Sequence, residues 1–292
     1  MGFYEDRQKR VEIFEDTMNL CRENRILVES VKSSIKNQKV YDGNKIEFNK
    51  LFSDVSSENE VQIAVSMKRS FEAAEYYVKA GKKVCVLNFA SSTSPGGGVT
   101  GGSGAQEECL CRCSTLYPAL MAVKSEFHDR HIALLKSGKM NALYNDDIIY
   151  TPDVMVMKTD TVLPKKMIED DWYKVDVITC AAPNLRERPS NRFNPNSGSS
   201  KPKISEKELK ELHKIRLAKI MTVAAEHGAD VLVLGAFGCG AFQNPPELVA
   251  EAEKKVIANY GKYFKVIEFA VFCPPHDKKN YEAFEKVFVK EK

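Results

Sequence analysis

From Tyr4 to about Lys36 the apolar positions recur at steps of three and four, through Val11, Phe14, Met18 and Cys21 and then Ile26, Leu27, Val31 and Ile35. That period lays one stripe along one face, so the segment predicts one or two amphipathic helices, an N-terminal arm packed as a satellite on the main domain. Lys39 to Tyr41 and Val61 to Ser66 read as short strands, with a polar stretch from Asp42 to Glu60 between them. A helical pattern then runs from about Arg69 to Ala80 and stops at Gly81, a residue suited to the left-handed turn that ends helices.

Beyond it, β-rich runs and helical patterns alternate. The runs are Val84 to Phe89, Ile148 to Tyr150, Val154 to Lys158, Val175 to Cys180, Val231 to Leu234 and Val266 to Phe272. Several are apolar at almost every position, as strands covered on both faces are. The helical patterns are Ala105 to Leu116, Ala119 to Leu135, Ser205 to His227, Pro246 to Tyr260 and Asp277 to Val289. Ser205 and Glu208 form a capping box, Gly228 closes the same helix, and Pro245-Pro246 suits a helix start. Alternation of this kind predicts an α/β fold, a sheet sandwiched between helices. Glu187 to Lys203 is of low complexity and predicts a mobile surface insertion.

Composition alters this picture little. The 292 residues suffice for a full core in one large domain or two small ones, and 43% apolar with 28% charged residues is ordinary for a soluble globular chain. Net charge is +3 with Lys and Arg spread along the chain, so nothing marks a surface for duplex nucleic acid, and an anionic small ligand is favoured. No apolar run has the length of a membrane span. Eight cysteines are dispersed except at Cys109, Cys111 and Cys113, and the N-terminus is charged where a signal peptide would be apolar. Both features predict reduced thiols in an intracellular protein, cytoplasmic with the nucleus also open.

The chemistry concentrates between Val84 and Tyr117. Gly96, Gly97, Gly98, Gly101, Gly102 and Gly104 follow a strand and precede Gln106-Glu107-Glu108, which opens a helix. So much glycine suits main chain touched by a ligand. Successive helical carboxylates point about 100° apart, so the two acids face different surroundings and serve different purposes. A second glycine turn, Gly235-Ala236-Phe237-Gly238-Cys239-Gly240 with Phe242 after it, again joins strand to helix. Its backbone N–H groups can form an anion nest, and Phe237 and Phe242 offer faces for a base or ribose. Two such loops on two strand ends predict a cleft for a diphosphate.

Other readings are weaker. Gly96, Gly98 and Gly101 satisfy the dinucleotide spacing, but the glycines continue to Gly104 and the region around Glu126 reads as helix where a second strand should end. No Gly-Lys-Ser follows, which excludes a P-loop. A zinc site from Cys109, Cys111 and Cys113 with His128 and His131 fails because i+2 leaves the helix face; these read as small helix-face residues, and no metal is expected. His213 and His227 read as helix-surface residues.

Gly96 to Glu108, GGG then seven residues then QEE, resembles the catalytic signature of macrodomain-type poly(ADP-ribose) glycohydrolases, and Val233 to Pro246 resembles their diphosphate loop. VITCAAPN (Val177 to Asn184) and LYPAL (Leu116 to Leu120) are similar to the compact microbial-type branch. The resemblance implies a macrodomain-like mixed sheet between helices, with residues 1–60 as a helical extension and 61–292 as the catalytic domain. It implies Glu108 as general acid and base, with Glu107, Gln106 and Asn88 on the terminal ribose. Gly96, Gly97, Gly98 and Gly235 to Gly240, with Ala236 and Cys239, would wrap the diphosphate, and Phe237 or Phe242 would stack on the proximal ribose or adenine. Partners would be poly(ADP-ribose) or ADP-ribosylated proteins, with ADP-ribose as product and no cofactor. A binding module that reads ADP-ribose without cleaving it is the rival, and a nicotinamide-dinucleotide oxidoreductase comes third.

Overall fold

Strand β3 (Val84–Phe89), buried at nearly every position, is the spine of the sheet. In the computed structural model, which describes residues 3–47, 60–191 and 195–290, β3 pairs in parallel with β5 (Tyr173–Cys180) on one side and β6 (Val231–Leu234) on the other. β6 continues in parallel to β7 (Val266–Ala270), and β7 to β2 (Gln62–Ser66). On the opposite flank β4 (Ile148–Val156) and β1 (Lys39–Tyr41) run antiparallel. The described residues thus build a seven-stranded mixed sheet in the order β1-β4-β5-β3-β6-β7-β2. β2, β3, β5, β6 and β7 bring their carboxyl ends to one edge, where open α/β sheets bind ligands.

Alternation along each strand feeds two cores. Cys85, Leu87, Leu232 and Leu234 face α7 (Glu206–Glu226), α8 (Pro246–Tyr260) and α9 (Lys279–Glu285) through Ile220, Val249 and Phe284. Val84, Val86, Val231 and Val233 face the other way, toward α3 (Ser70–Lys79), α4 (Gln106–Cys113) and α5 (Leu116–Ala122) through Phe71, Leu110 and Leu116. Phe14 of α1 (Phe3–Glu23) joins this second core. Asn24 ends that helix and caps α2 (Arg25–Asn37) by accepting the N–H groups of Ile26 and Leu27. Ser30 and Ser34 of α2 donate to the carbonyls of Asp153 and Pro152 in β4.

Several boundaries differ from the sequence expectation. The two strands expected at 148–150 and 154–158 are one, because a register shift between Thr151 and Val154, with Asp153 at φ +55°, absorbs Pro152 as a bulge. Pro118, left between the two helical patterns expected at 105–116 and 119–135, sits in the first turn of α5, where its missing N–H costs nothing. A π-helical turn at Ser125–Asp129 then joins α6 (Arg130–Lys136). Within the segment expected to be a mobile insertion, the chain is anchored at Ser197, which is buried, meets the Thr93 hydroxyl at 3.1 Å, and whose carbonyl accepts the Tyr144 hydroxyl. Most of the polar stretch from Asp42 to Glu60, positions 48–59, lies outside the described residues.

The two histidines expected on the helix surface are not there. His213 is buried, with Nε2 2.9 Å from Asn244 Oδ1. His227 caps α7, half-buried, stacked on Tyr150 at 3.5 Å and with Nε2 2.9 Å from the Tyr41 hydroxyl. Both pack against apolar or aromatic groups that lie far away in sequence, so helical period alone could not assign them. Among the described residues no helix is long and apolar enough to cross a membrane.

Candidate active site

The first turn of α4 lies directly over the carboxyl end of β3. Gln106 is fully engaged with protein: Oε1 accepts the Phe89 N–H at 2.9 Å, and Nε2 donates to Leu87 O at 2.7 Å and Ser70 Oγ at 3.0 Å. Next to it, Glu107 is 3% exposed and accepts the Ser91 N–H at 2.7 Å and Asn88 Nδ2 at 3.3 Å. Asn88, itself buried, divides that amide between Glu107 and Thr179 Oγ1. Burial, and then the neighbouring Glu108, push the Glu107 carboxyl up to about 8. Glu108 points a different way, as its helical position requires. Its Oε1 accepts the Gly98 N–H at 2.8 Å, while Oε2 is buried and has no hydrogen-bond partner among the described residues.

Gly97, at φ +57°, faces both acids, and a Cβ there would lie 2.5 Å from Glu108 Oε1 and 3.3 Å from Glu107 Oε2. Gly96, at φ +67°, is instead pressed against the Tyr117 ring. The glycine loop is therefore wrapped on the carboxylates by their own hydrogen bonds.

Across the cleft the second loop, after β6, is held from beneath. Asn244 Nδ2 donates to Pro183 O at 2.7 Å and Gly238 O at 3.0 Å, and His213 holds the other end of that amide. Burial lowers the His213 pKa to about 4, so the ring is neutral at neutral pH and Nε2 carries the hydrogen given to Asn244. Between the loops lies a cavity of about 400 Å³. Glu107, Glu108, Gly97, Gly238 and Phe242 line it, together with Arg69, Asp160, Phe272 and Asn280.

A family described as microbial-type PARG, catalytic domain, matches residues 4–159, more than half the chain. The chain belongs to the microbial-type poly(ADP-ribose) glycohydrolases. It is a glycoside hydrolase acting on poly(ADP-ribose) and releasing ADP-ribose. The crystal structure of poly(ADP-ribose) glycohydrolase from Thermomonospora curvata bound to the inhibitor ADP-HPD is similar at 29% identity and a TM-score of 0.80, over 96% of this chain and 100% of that one. The Deinococcus radiodurans enzyme in complex with ADP-ribose is similar at 25% identity and a TM-score of 0.71, over 89% and 97%. No curated protein sequence matches the chain. The mixed sheet flanked by helices is the macrodomain-like fold of these glycohydrolases.

Not every residue singled out in the glycohydrolase sequence reaches the cavity. Phe237 is buried, packed on Phe89 and His213, whereas Phe242 lines the cleft. Gly235 touches the Ala270 carbonyl and the Phe89 ring, so its missing Cβ serves packing. Cys239 does not line the cleft, nor does Asn88, which stands behind Glu107. Cys111 and Cys113 are buried in the core, while Cys109 reaches the cavity, with Arg112 and Arg69 nitrogens 3.3 and 3.5 Å from its sulfur. His131 is also buried, between Ser92 Oγ at 2.9 Å and Asp147 Oδ2 at 2.8 Å, and so braces the loop after β3.

Arg69, Ser70, Ser91, Asp160, Phe272 and Asn280 escaped the sequence reading. Arg69 lies over the Phe272 ring at 3.9 Å. One signal could have found these two: each follows the carboxyl end of a parallel strand, β2 or β7.

Proposed function

We propose that Glu108 is the general acid and base for hydrolysis of the ribose–ribose O-glycosidic bond of poly(ADP-ribose). Its Oε2 gives a proton to the departing 2′-oxygen, and the same group then takes one from the attacking water, through an oxocarbenium-like state. One observation carries this reading: Glu108 lines the cleft, its Oε1 is tied to the Gly98 N–H, and its Oε2 is buried with no partner of its own among the described residues. A carboxyl held by one oxygen presents the other in a fixed direction.

Glu107, neutral up to a pH of about 8, sets no second negative charge beside Glu108 and the diphosphate, and orients the terminal ribose. Gln106, its polar groups engaged within the protein, acts on that sugar through the main chain, and Asn88 acts through Glu107, to which its Nδ2 donates. The diphosphate lies between Gly97 and the Ala236 to Gly240 turn, and Phe242 stacks on the proximal ribose or the adenine.

Digestion of labelled poly(ADP-ribose) with wild type and Glu108→Gln, alongside calorimetry with ADP-ribose, tests this. Turnover should vanish in the variant while ADP-ribose binding stays near normal. Substantial residual hydrolysis moves the acid to another residue.

A further inference from the structure

Three successive carbonyls in the approach to α4 are each taken by a different guanidinium. Arg7 Nε donates to Gly101 O at 2.6 Å, Arg10 Nε to Gly102 O at 2.7 Å, and Arg112 Nη1 to Ser103 O at 2.6 Å. Arg7 and Arg10 come from α1, 94 and 92 positions earlier in the chain. The approach is close: a Cβ on Gly102, at φ +71°, would lie 2.4 Å from the Arg7 carbonyl oxygen and 3.1 Å from the Val11 side chain. Gly102 therefore serves α1 and not a ligand.

Gathering three cations at one turn opposes stability. Burial and the neighbouring Arg112 both hold the Arg10 guanidinium below its usual pKa range. Nor does α1 need these contacts to stay attached. Farther along, Lys158 Nζ donates to Ile13 O at 2.8 Å and pairs with Asp16 at 2.6 Å, and Thr17 Oγ1 donates to Arg112 O at 2.6 Å.

The turn held by the two arginines leads straight to the acid. The N–H groups of Gly101 and Ser103 both donate to Gly98 O at 3.1 Å, and it is the Gly98 N–H that holds Glu108 Oε1. The other end of the turn is the start of α4, which carries Glu108 itself. Movement of residues 101–103 thus shifts the carboxyl and its backbone donor relative to each other.

We propose that Arg7 and Arg10 are positioning residues for hydrolysis, clamping the Gly98–Ser103 turn so that Glu108 is correctly aimed. The inference rests on Glu108 being the acid. Lysine cannot replace either residue, because its single terminal nitrogen does not reproduce an Nε–H directed sideways from the stem.

The test is a double variant, Arg7→Gln with Arg10→Gln, and the single variants Arg10→Lys and Arg10→Ala. Each is read for kcat of ADP-ribose release, Kd for ADP-ribose and melting temperature. Expected for the double variant is a fall in kcat of about ten- to hundred-fold, the scale of a small misplacement of a catalytic group, with Kd changed by less than about two-fold. Arg10→Lys should lose part of the same kcat even where the double variant is too unstable to assay. Added methylguanidinium should restore part of the loss in Arg10→Ala, a recovery that a loosened core would not give.

Asp16→Asn, which weakens the hold of Lys158 on α1 without touching the turn or α4, should keep its kcat. The proposal is overturned if the arginine variants keep wild-type kcat, if Kd weakens in step with kcat, or if Asp16→Asn loses as much. Activity retained by Glu108→Gln would instead remove the premise, and the two failures are told apart by that single variant.

Discussion

Gly97 and Glu108 approach so closely that a Cβ on the glycine would lie 2.5 Å from the carboxylate oxygen Oε1. The loop that would receive the diphosphate and the acid that would break the acetal are thereby one rigid unit. Gly97→Ala should displace Glu108 and strain the backbone at φ +57°. The expected result is a kcat lowered by about a hundred-fold and stability lowered by about 1–2 kcal/mol, read from ADP-ribose release and urea melts.

Glu107 makes stability depend on pH. Its carboxyl ionises near 4.5 in the unfolded chain and near 8 in the folded one. Between those values the folded state alone keeps the proton, so the stability this group contributes is full below the lower value and is lost as pH rises through the upper one. Glu107→Gln cannot ionise. Its stability relative to wild type should therefore climb across that window and level off above it, as urea titrations at about pH 5, 7 and 9 would reveal. A difference that stays flat with pH refutes the assignment.

Gln106→Ala should destabilise more than an exposed helix substitution would. It strips the Phe89 N–H of its acceptor and the Leu87 carbonyl of a donor, and buried groups left unpaired cost about 1–3 kcal/mol each. Denaturant midpoints check the energy. A fall in kcat should accompany it, since α4 keeps only the Asn88–Glu107 hydrogen bond as its side-chain tie to β3 among the described contacts.

Asn244→Asp should weaken ligand binding more than it slows hydrolysis. The change replaces a donor shared by Pro183 O and Gly238 O with a carboxylate facing both carbonyls, beneath a turn proposed to hold a diphosphate. Calorimetry with ADP-ribose should give a Kd raised by about ten-fold or more, the equivalent of one charge-assisted hydrogen bond. His213→Ala should do the same to a smaller degree.

Much of this could be read from the chain alone because it depends on neighbours in sequence. The alternation Val84, Cys85, Val86, Leu87 is a strand covered on both faces, whatever covers it. Glu107 and Glu108 diverge by the geometry of any helix. Phe237 and Phe242 could not be told apart in the same way, for the first is claimed by Phe89 and His213 and the second by the cleft. Gly102 is a sharper case: it looked like part of a ligand loop, and its missing Cβ makes room for Arg7.

Local pattern, then, determined the alternation of strands and helices, the two glycine turns and the acidic pair, since those arise from side-chain period and backbone freedom within a few residues. Tertiary structure alone decided which oxygen of Glu108 is left without a partner among the described residues, which aromatic ring faces the cleft, and that α1 grips the turn before α4. Those outcomes are set by hydrogen bonds and contacts between residues tens of positions apart, and only closure of the chain brings such groups within reach.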